Sequence, residues 1–172
     1  TRIFYVIDEF SSIFDTEIEK RHLLSTPGKA RRMRKASLSD SEIMTILLLF
    51  HFGTFRNFKH YYLHYIKEHL SKEFPDAVSY NRFIELESRV FFKLVFFLNL
   101  RAFGKCTGIS FVDSTPLRVC RNQRILIHKT FKGIAQRGKC SMGWFFGFKL
   151  HLICNEKGEL LNFMITPGDV DD

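Results

Sequence analysis

The chain has 172 residues, of which 45% are hydrophobic and 15% aromatic, so its composition excludes an intrinsically disordered protein. Its formal net charge of +8 favours an acidic partner, most commonly nucleic acid. No apolar run reaches about 18 residues, and the first residues do not resemble a signal peptide, so we expect no membrane partner. The four cysteines form no Cys-x-x-Cys pair, which predicts reduced thiols in the cytoplasm and no zinc site.

The first hundred residues predict helices. Apolar residues recur every three or four positions over residues 2–21, which predicts an amphipathic helix. Ser39 and Glu42 predict a capping box for a helix that ends at Gly53. Residues 55–70 and 79–103 predict two further helices. We therefore expect an all-α domain over residues 1–104 that binds DNA.

One dense positive run lies within this helical part. It consists of Arg31, Arg32, Arg34 and Lys35 and follows a breaker formed by residues 25–28. Two interpretations of this run stay open: it forms a solvated loop, or it contacts phosphates. Because the rest of the chain also indicates nucleic acid, we take these four residues as candidate DNA contacts.

After Gly104 the apolar pattern changes to that of strands. Residues 109–112 are a short apolar run, which predicts a strand ending at Asp113. Residues 144–154 and 160–166 predict a second and a third strand, joined by a tight turn. The fold class is therefore α+β, an N-terminal all-α domain followed over residues 105–172 by the first strands of a mixed sheet.

Between the first two predicted strands lies a strongly basic segment. Residues 118–149 carry eight lysines and arginines and no acid, which gives the segment a charge of +8. Four glycines within it allow close approach of the backbone. This composition suits a phosphodiester substrate. The candidate DNA contacts are Arg118, Arg121, Arg124, Lys129, Lys132, Arg137, Lys139 and Lys149.

Three ordered motifs resemble a known family. Phe111-Val112-Asp113-Ser114-Thr115-Pro116 resembles the first-aspartate strand of insertion-sequence DDE transposases. Residues 143–151 resemble their second strand with its G-x-K-L-H pattern, and residues 160–168 resemble the third strand and its turn. Residues 4–10 also resemble the N-terminal end of the insertion-sequence family numbered nine eighty-two, within the superfamily typified by insertion sequence four.

The resemblance implies a fold, a chemistry and partners. The fold is ribonuclease-H-like, and two aspartates and a glutamate bind two divalent cations, Mg²⁺ or Mn²⁺. The two cations support cleavage of phosphodiester bonds and strand transfer. By the resemblance, Asp113 corresponds to the first of the two aspartates. The implied partners are DNA, as insertion-sequence ends and target, and in the full-length protein a second copy of the chain. The implied location is the bacterial cytoplasm, at the nucleoid.

The sequence also departs from the family pattern. The second aspartate, before a Gly-Tyr pair, and the later glutamate do not occur, which predicts a C-terminally truncated, inactive fragment without a tightly bound metal. We interpret Asp169, Asp171 and Asp172 as part of a turn, not as the second aspartate. Two alternatives stay open: a non-catalytic DNA-binding or regulatory remnant, and an unrelated basic, RNA-associated structural protein.

Overall fold

The computed structural model describes residues 2–21 and 37–171 of the protein. These residues form two units, one ending at Leu98 and the other beginning at Asn99. Helices make up the first unit and strands dominate the second, so the predicted α+β class is confirmed. None of the helices within the described ranges has the length and apolarity that crossing a bilayer requires. The positive run at residues 31–35 lies outside the described residues.

The described residues of the helical unit form four α-helices, and two of these continue with the wider π-helical winding. They are α1 (Arg2–Lys20), α2 (Asp40–Phe52), α3 (Phe58–His60), which continues as Tyr61–His69, and α4 (Tyr80–Phe97), which continues as Leu98–Ala102. The helices predicted over residues 2–21 and 79–103 are thus confirmed. The segment predicted over residues 55–70 is helical from Phe58, and most of it is π-helical.

Local signals set the ends of α2. The Ser39 hydroxyl accepts a hydrogen bond from the backbone N–H of Glu42, while the Glu42 carboxylate accepts one from the N–H of Ser39 at 2.7 Å. This reciprocal pair satisfies two N–H groups that have no partner inside the helix, which confirms the predicted capping box. At the other end, the N–H of Gly53 bonds to the carbonyl of Leu49, where the sequence predicts the stop.

Aromatic rings fill much of the core of the helical unit. Tyr61 and Tyr62 are adjacent in sequence and both are fully buried. Their hydroxyls donate to the carbonyls of Ile46 at 3.0 Å and Val78 at 2.9 Å, so neither phenol is buried without a partner. The Tyr62 ring lies 4.6 Å from that of Phe83, which ties the π-helical segment to α4.

The second unit is an antiparallel sheet built around one long strand. Its strands are β1 (Ser110–Cys120), β2 (Gln136–Cys140), β3 (Gly143–Asn155) and β4 (Leu160–Pro167). Strand β1 pairs with one edge of β3, while β2 and β4 pair with successive parts of the other edge. The four described strands are all antiparallel, so the mixed sheet that the sequence predicts is not present among them.

The predicted hairpin over residues 144–166 is confirmed. Its strands are β3 and β4, and the N–H of Asn155 bonds to the carbonyl of Glu159 across the turn. The side-chain carbonyl of buried Asn155 also accepts hydrogen bonds from the N–H groups of Lys157 and Glu159, at 3.0 and 2.9 Å. An asparagine that replaces missing backbone partners in this way is a common device of tight turns.

The first strand is longer than the sequence predicts. The prediction of a strand that ends at Asp113 is wrong, because β1 continues to Cys120. The long strand β3 pairs with β1 up to the pair of Cys120 with Phe146, and this pairing extends β1. Pro116 is tolerated because β1 pairs with β3 alone among the described strands, and a proline is accepted on an edge strand. Two elements of the basic segment, β2 and a 3₁₀ helix (Asn122–Ile127), are not predicted from the sequence.

Candidate functional site

Asp113 lies near the start of β1 and is exposed. It pairs with Leu152 of β3, and directly opposed residues of an antiparallel pair share a face of the sheet. Its Oδ1 accepts a hydrogen bond from the N–H of Ser114 at 2.8 Å. Among the described residues Asp113 forms no ion pair. The carboxylate is therefore open to solvent at the edge of the sheet.

A cavity of about 270 Å³ adjoins Asp113 and contains two lysines of the basic segment. Lys139 is exposed, whereas Lys149 is only 7% exposed. Lys149 pairs with Pro116, so its side chain leaves β3 on the face opposite to that of Asp113. One carboxylate and two cations thus line the same cavity.

These residues do not form a metal site by themselves. Within the part of the chain that the structure describes, Asp113 is the only carboxylate that lines this cavity. The two lysines that line it are positively charged and would repel a metal cation. Within residues 2–21 and 37–171, no group of three histidine, cysteine, aspartate or glutamate residues is placed to hold a metal. The donor set around Asp113 does not fit two divalent cations, so we derive no reaction step through them.

The described acids that follow β4 are not found among the residues that line the cavity of Asp113. Asp171 lines a different cavity, together with Val112 and His151, and Asp169 is exposed in the turn. Asp172 lies outside the described residues. The structure does not bring Asp169 or Asp171 into the cavity of Asp113.

The candidate DNA contacts of the basic segment are distributed over all of its elements. Arg118 lies on β1, Arg137 and Lys139 on β2, and Lys149 on β3. The connection from β1 to β2 carries the others: Arg121, Arg124, Lys129 and Lys132. All of these side chains are exposed except Lys149. The four candidates Arg31, Arg32, Arg34 and Lys35 lie outside the described residues.

Two cavities group several of these cations. Arg121, Arg124 and Lys129 line one of about 600 Å³, together with His128. Arg118 and Arg121 line the other, of about 380 Å³, together with Trp144. Neither His128 nor Trp144 is among the predicted site residues, although a single tryptophan in an acid-free segment is a signal that the sequence offers. Chain order cannot show which of the eight cations share a cavity.

The aromatic residues of the segment make specific contacts. The guanidinium of Arg137 lies 5.0 Å from the centre of the Trp144 ring, within cation–π range. The side-chain amide of Asn122 donates to the carbonyl of Trp144 at 3.0 Å, which holds the 3₁₀ helix against β3. Trp144 is still 53% exposed, so this part of the basic surface carries an accessible ring.

The close backbone approach expected of the glycines is present, but it is made within the protein. A Cβ on Gly138 would lie 1.8 Å from the carbonyl oxygen of Gly168, and a Cβ on Gly147 would lie 2.0 Å from that of Leu117. Neither distance is possible for a side chain. These two glycines therefore allow neighbouring segments to pack together, and they leave no gap for a substrate.

Comparison with known protein families gives a match over the strand-rich part of the chain. Residues 103–172, which are less than half of the chain, match the family model described as a transposase DDE domain. No curated protein and no solved structure matches significantly. The matched residues include all four strands and Asp113. The strand-rich unit is thus similar to transposase DDE domains, and this similarity supports a DDE transposase as the kind of protein to which the chain is related.

Proposed function

We propose that this chain is part of an insertion-sequence transposase, that it binds DNA through its basic segment, and that Asp113 is the first carboxylate of a DDE site. The match of residues 103–172 to a transposase DDE domain carries the proposal. The arrangement of the sheet supports it, since β1 holds Asp113 and pairs with the first strand of the β3–β4 hairpin. We propose further that the complete strand-rich domain has a ribonuclease-H-like fold and that the chain belongs to the insertion-sequence family numbered nine eighty-two.

The described residues supply part of such a site. In a complete DDE site, divalent cations activate the attacking oxygen and stabilise the leaving oxygen of a phosphodiester. Asp113 would contribute one ligand, and the exposed cations of the segment would bind phosphates. Further carboxylates are needed before cleavage or strand transfer is possible, so we propose DNA binding as the activity of this chain itself.

The outer edge of β1 supports the proposal that the site is completed by further chain. Among the described strands, β1 has a partner on one side only. Phe111 and Val112 near its start are 60% and 72% exposed, and Ile109 just before the strand is 61% exposed, which indicates an uncovered apolar edge. We propose that the family's next strand, which carries the second aspartate, pairs here.

The coding DNA beyond the codon for Asp172 tests this point directly. We expect a reading frame, intact or interrupted, that encodes an aspartate before Gly-Tyr and a later glutamate within a predicted helix. Downstream DNA with no such remnant in any frame would contradict the transposase proposal. An interrupted frame would retain the ancestry and favour a DNA-binding or regulatory remnant as the present role.

DNA binding is tested by fluorescence anisotropy with a labelled duplex. We expect the chain to bind at low ionic strength and to release the duplex steeply as salt rises, because each neutralised phosphate releases counterions. An RNA duplex of the same length is the control. Tighter binding of RNA than of DNA would favour the RNA-associated alternative, and absence of binding at low salt would contradict the proposed function.

The helical unit and the assembly state complete the proposal. We propose that residues 1–104 form a DNA-binding domain to which Arg31, Arg32, Arg34 and Lys35 contribute, and that the full-length protein acts as a homodimer. Action on DNA would place the protein in the bacterial cytoplasm. The amphipathic pattern and the positive run support the DNA-binding role of residues 1–104. The homodimer rests on the family resemblance alone.

A further inference from the structure

We propose that the 600 Å³ cavity lined by residues 119–121, 124 and 127–130 binds one phosphate group of a DNA strand. This inference rests on the proposed function, because it takes DNA as the source of the phosphate. It adds a defined subsite to a basic surface that is otherwise diffuse. We call this cavity the phosphate cavity.

The charge of the phosphate cavity is its first supporting feature. Arg121, Arg124 and Lys129 line it, and within the described residues none of the three forms an ion pair. No acid occurs between residues 118 and 149, so no neighbour in the chain neutralises them. Arginine presents several donors in a planar fork that matches a phosphate. Three cations around one cavity favour an anionic ligand.

His128 lines the phosphate cavity beside the three cations. Its Nε2 is enclosed and has no hydrogen-bond partner among the described residues. Because this atom is closed to solvent, a phosphate in the cavity does not reach it, and His128 contributes a wall of the cavity. The three cations carry the proposal, and the imidazole is close enough for its NMR signal to report on a bound anion.

The His128 ring is also fixed in place. It stacks on Phe131, with ring centres 6.1 Å apart and an angle of 17°, and it meets the ring of Phe146 edge-on at 6.3 Å. Phe131 in turn packs edge-on against Phe148. A ring held on two sides keeps its place, so this wall of the cavity is formed before a ligand arrives.

The phosphate cavity and Asp113 lie on the same face of the sheet. His128 and Phe131 pack on Phe146 and Phe148, which alternate along β3 with the same parity as Leu152, the partner of Asp113. Along β1, Asp113 and Cys120 are separated by roughly 23 Å at a rise of about 3.3 Å per residue. At about 3.4 Å per nucleotide along a strand, the bound phosphate would lie about seven nucleotides from the one at Asp113. The phosphate cavity would therefore position DNA and take no part in the chemistry.

Imidazole NMR signals of the whole chain test the inference. The signal that disappears in His128→Gln identifies His128 among the seven histidines. Inorganic phosphate and a short DNA duplex are titrated separately, and we expect each to shift the His128 signal more than the other six. Shifts with phosphate but not with DNA would overturn the inference, because the cavity would then serve a free anion. If the chain also failed to bind the duplex at all, the proposed function would fail with it.

Two double variants with the same change in charge provide the affinity test. Arg121→Gln with Arg124→Gln removes two cations of the phosphate cavity, and Lys132→Gln with Arg137→Gln removes two exposed cations of the same segment that do not line it. We expect roughly a tenfold loss of DNA affinity for the first pair and less than about threefold for the second. Thermal melting checks that both remain folded. Equal losses would overturn the inference and leave DNA binding itself intact.

Discussion

At the scale of single residues, Asp113 differs from an acid that supports the fold. Its carboxylate accepts one local hydrogen bond, from the N–H of Ser114, and is otherwise exposed. We expect Asp113→Asn, which keeps an acceptor oxygen, to change the free energy of unfolding by no more than about 0.5 kcal/mol. Thermal melting of Asp113→Asn and Asp113→Ala, with and without Mg²⁺, measures this. A loss of about 2 kcal/mol in the alanine variant, independent of Mg²⁺, would assign Asp113 a structural role.

Tyr62 gives a pH-dependent prediction for the helical unit. Burial raises the pKa of its phenol to about 12, and burial also raises the pKa of Tyr61. Below the pKa of an unfolded tyrosine, about 10, both states are protonated and stability does not depend on these groups. Above it the unfolded chain loses protons first, so we expect stability to fall as pH rises from about 10 towards 12.

Tyrosinate absorbance measures this titration. We expect part of the tyrosinate absorbance to appear only well above pH 10, because burial raises the pKa of Tyr61 and Tyr62. In Tyr62→Phe one late-titrating group should disappear, and stability at neutral pH should fall by about 1 kcal/mol because the bond to Val78 is lost. Ionisation of all five tyrosines in a single step near pH 10 while the chain is still folded would contradict the burial of these rings.

At the scale of secondary-structure elements, a buried lysine joins three helices. Lys93 on α4 is 7% exposed, and its ammonium lies 2.7 Å from the carboxylate of Asp15 on α1 and 2.6 Å from that of Asp40 on α2. It also donates to the Ser11 hydroxyl at 3.2 Å. Removing the cation leaves two carboxylates near each other without their shared partner. We expect Lys93→Ala to cost about 3 kcal/mol, towards the low end for a broken buried pair, because Asp15 is half exposed.

Denaturant unfolding of three variants separates charge from packing in this network. Lys93→Met keeps most of the side-chain volume but not the charge, so we expect it to be nearly as destabilising as Lys93→Ala. Adding Asp15→Asn to Lys93→Met should recover part of the loss, because two like charges then no longer face each other, while Asp40 keeps its ion pair with Arg89. Equal stability of Lys93→Ala and the parent would show that the ion pairs contribute nothing.

Two glycines give a prediction for the sheet. Because a Cβ on Gly138 or Gly147 would overlap a backbone carbonyl oxygen, the sheet must distort to accept even alanine. We expect Gly138→Ala and Gly147→Ala each to destabilise the strand-rich unit by more than about 2 kcal/mol. Gly133 is the control: it has a φ of +82° and open space around its Cβ position, so Gly133→Ala should cost about 1 kcal/mol. Near-UV circular dichroism of the single tryptophan, followed through denaturant unfolding, reports on this unit.

Elements whose signals are local could be predicted from the sequence, whereas those that depend on partners could not. The capping box at Ser39 and the Asn155–Glu159 turn each use contacts within a few residues, and both are as predicted. The full length of β1 depends on pairing with β3, which lies about thirty residues further along the chain. The predicted strand therefore ends too early, at Asp113. Strand β2 has the composition of a basic loop, Gln136 to Cys140, and becomes a strand by pairing with β3.

The candidate site shows the same limit. Asp113 and the eight cations of residues 118–149 can be identified by residue type and chain position. The path of the β1–β2 connection brings three cations and a histidine to one cavity: Arg121, Arg124, Lys129 and His128. This path could not be predicted from the local sequence. The burial of Lys149 likewise follows from packing, although its motif reads as a surface contact.

At the scale of the whole molecule, the charge is concentrated in one segment. Residues 118–149 carry +8, which equals the formal net charge of the chain. The other 18 lysines and arginines (26 − 8) balance the 18 acids, which all lie outside the segment. The long-range field should therefore be centred on the strand-rich unit, and we expect association with DNA to begin there.

The salt dependence of DNA binding measures how many cations take part. Each neutralised phosphate contributes about 0.9 to the slope of log affinity against log salt. We expect replacement of Arg31, Arg32, Arg34 and Lys35 by alanine to lower the slope by roughly 2, if about half of these side chains contact phosphates. A control variant replaces four exposed cations elsewhere, Arg56, Lys67, Lys72 and Lys157, and should leave the slope nearly unchanged. A slope that is the same in the parent and in the first variant would remove the positive run from the interface and leave residues 118–149 as the source of DNA binding.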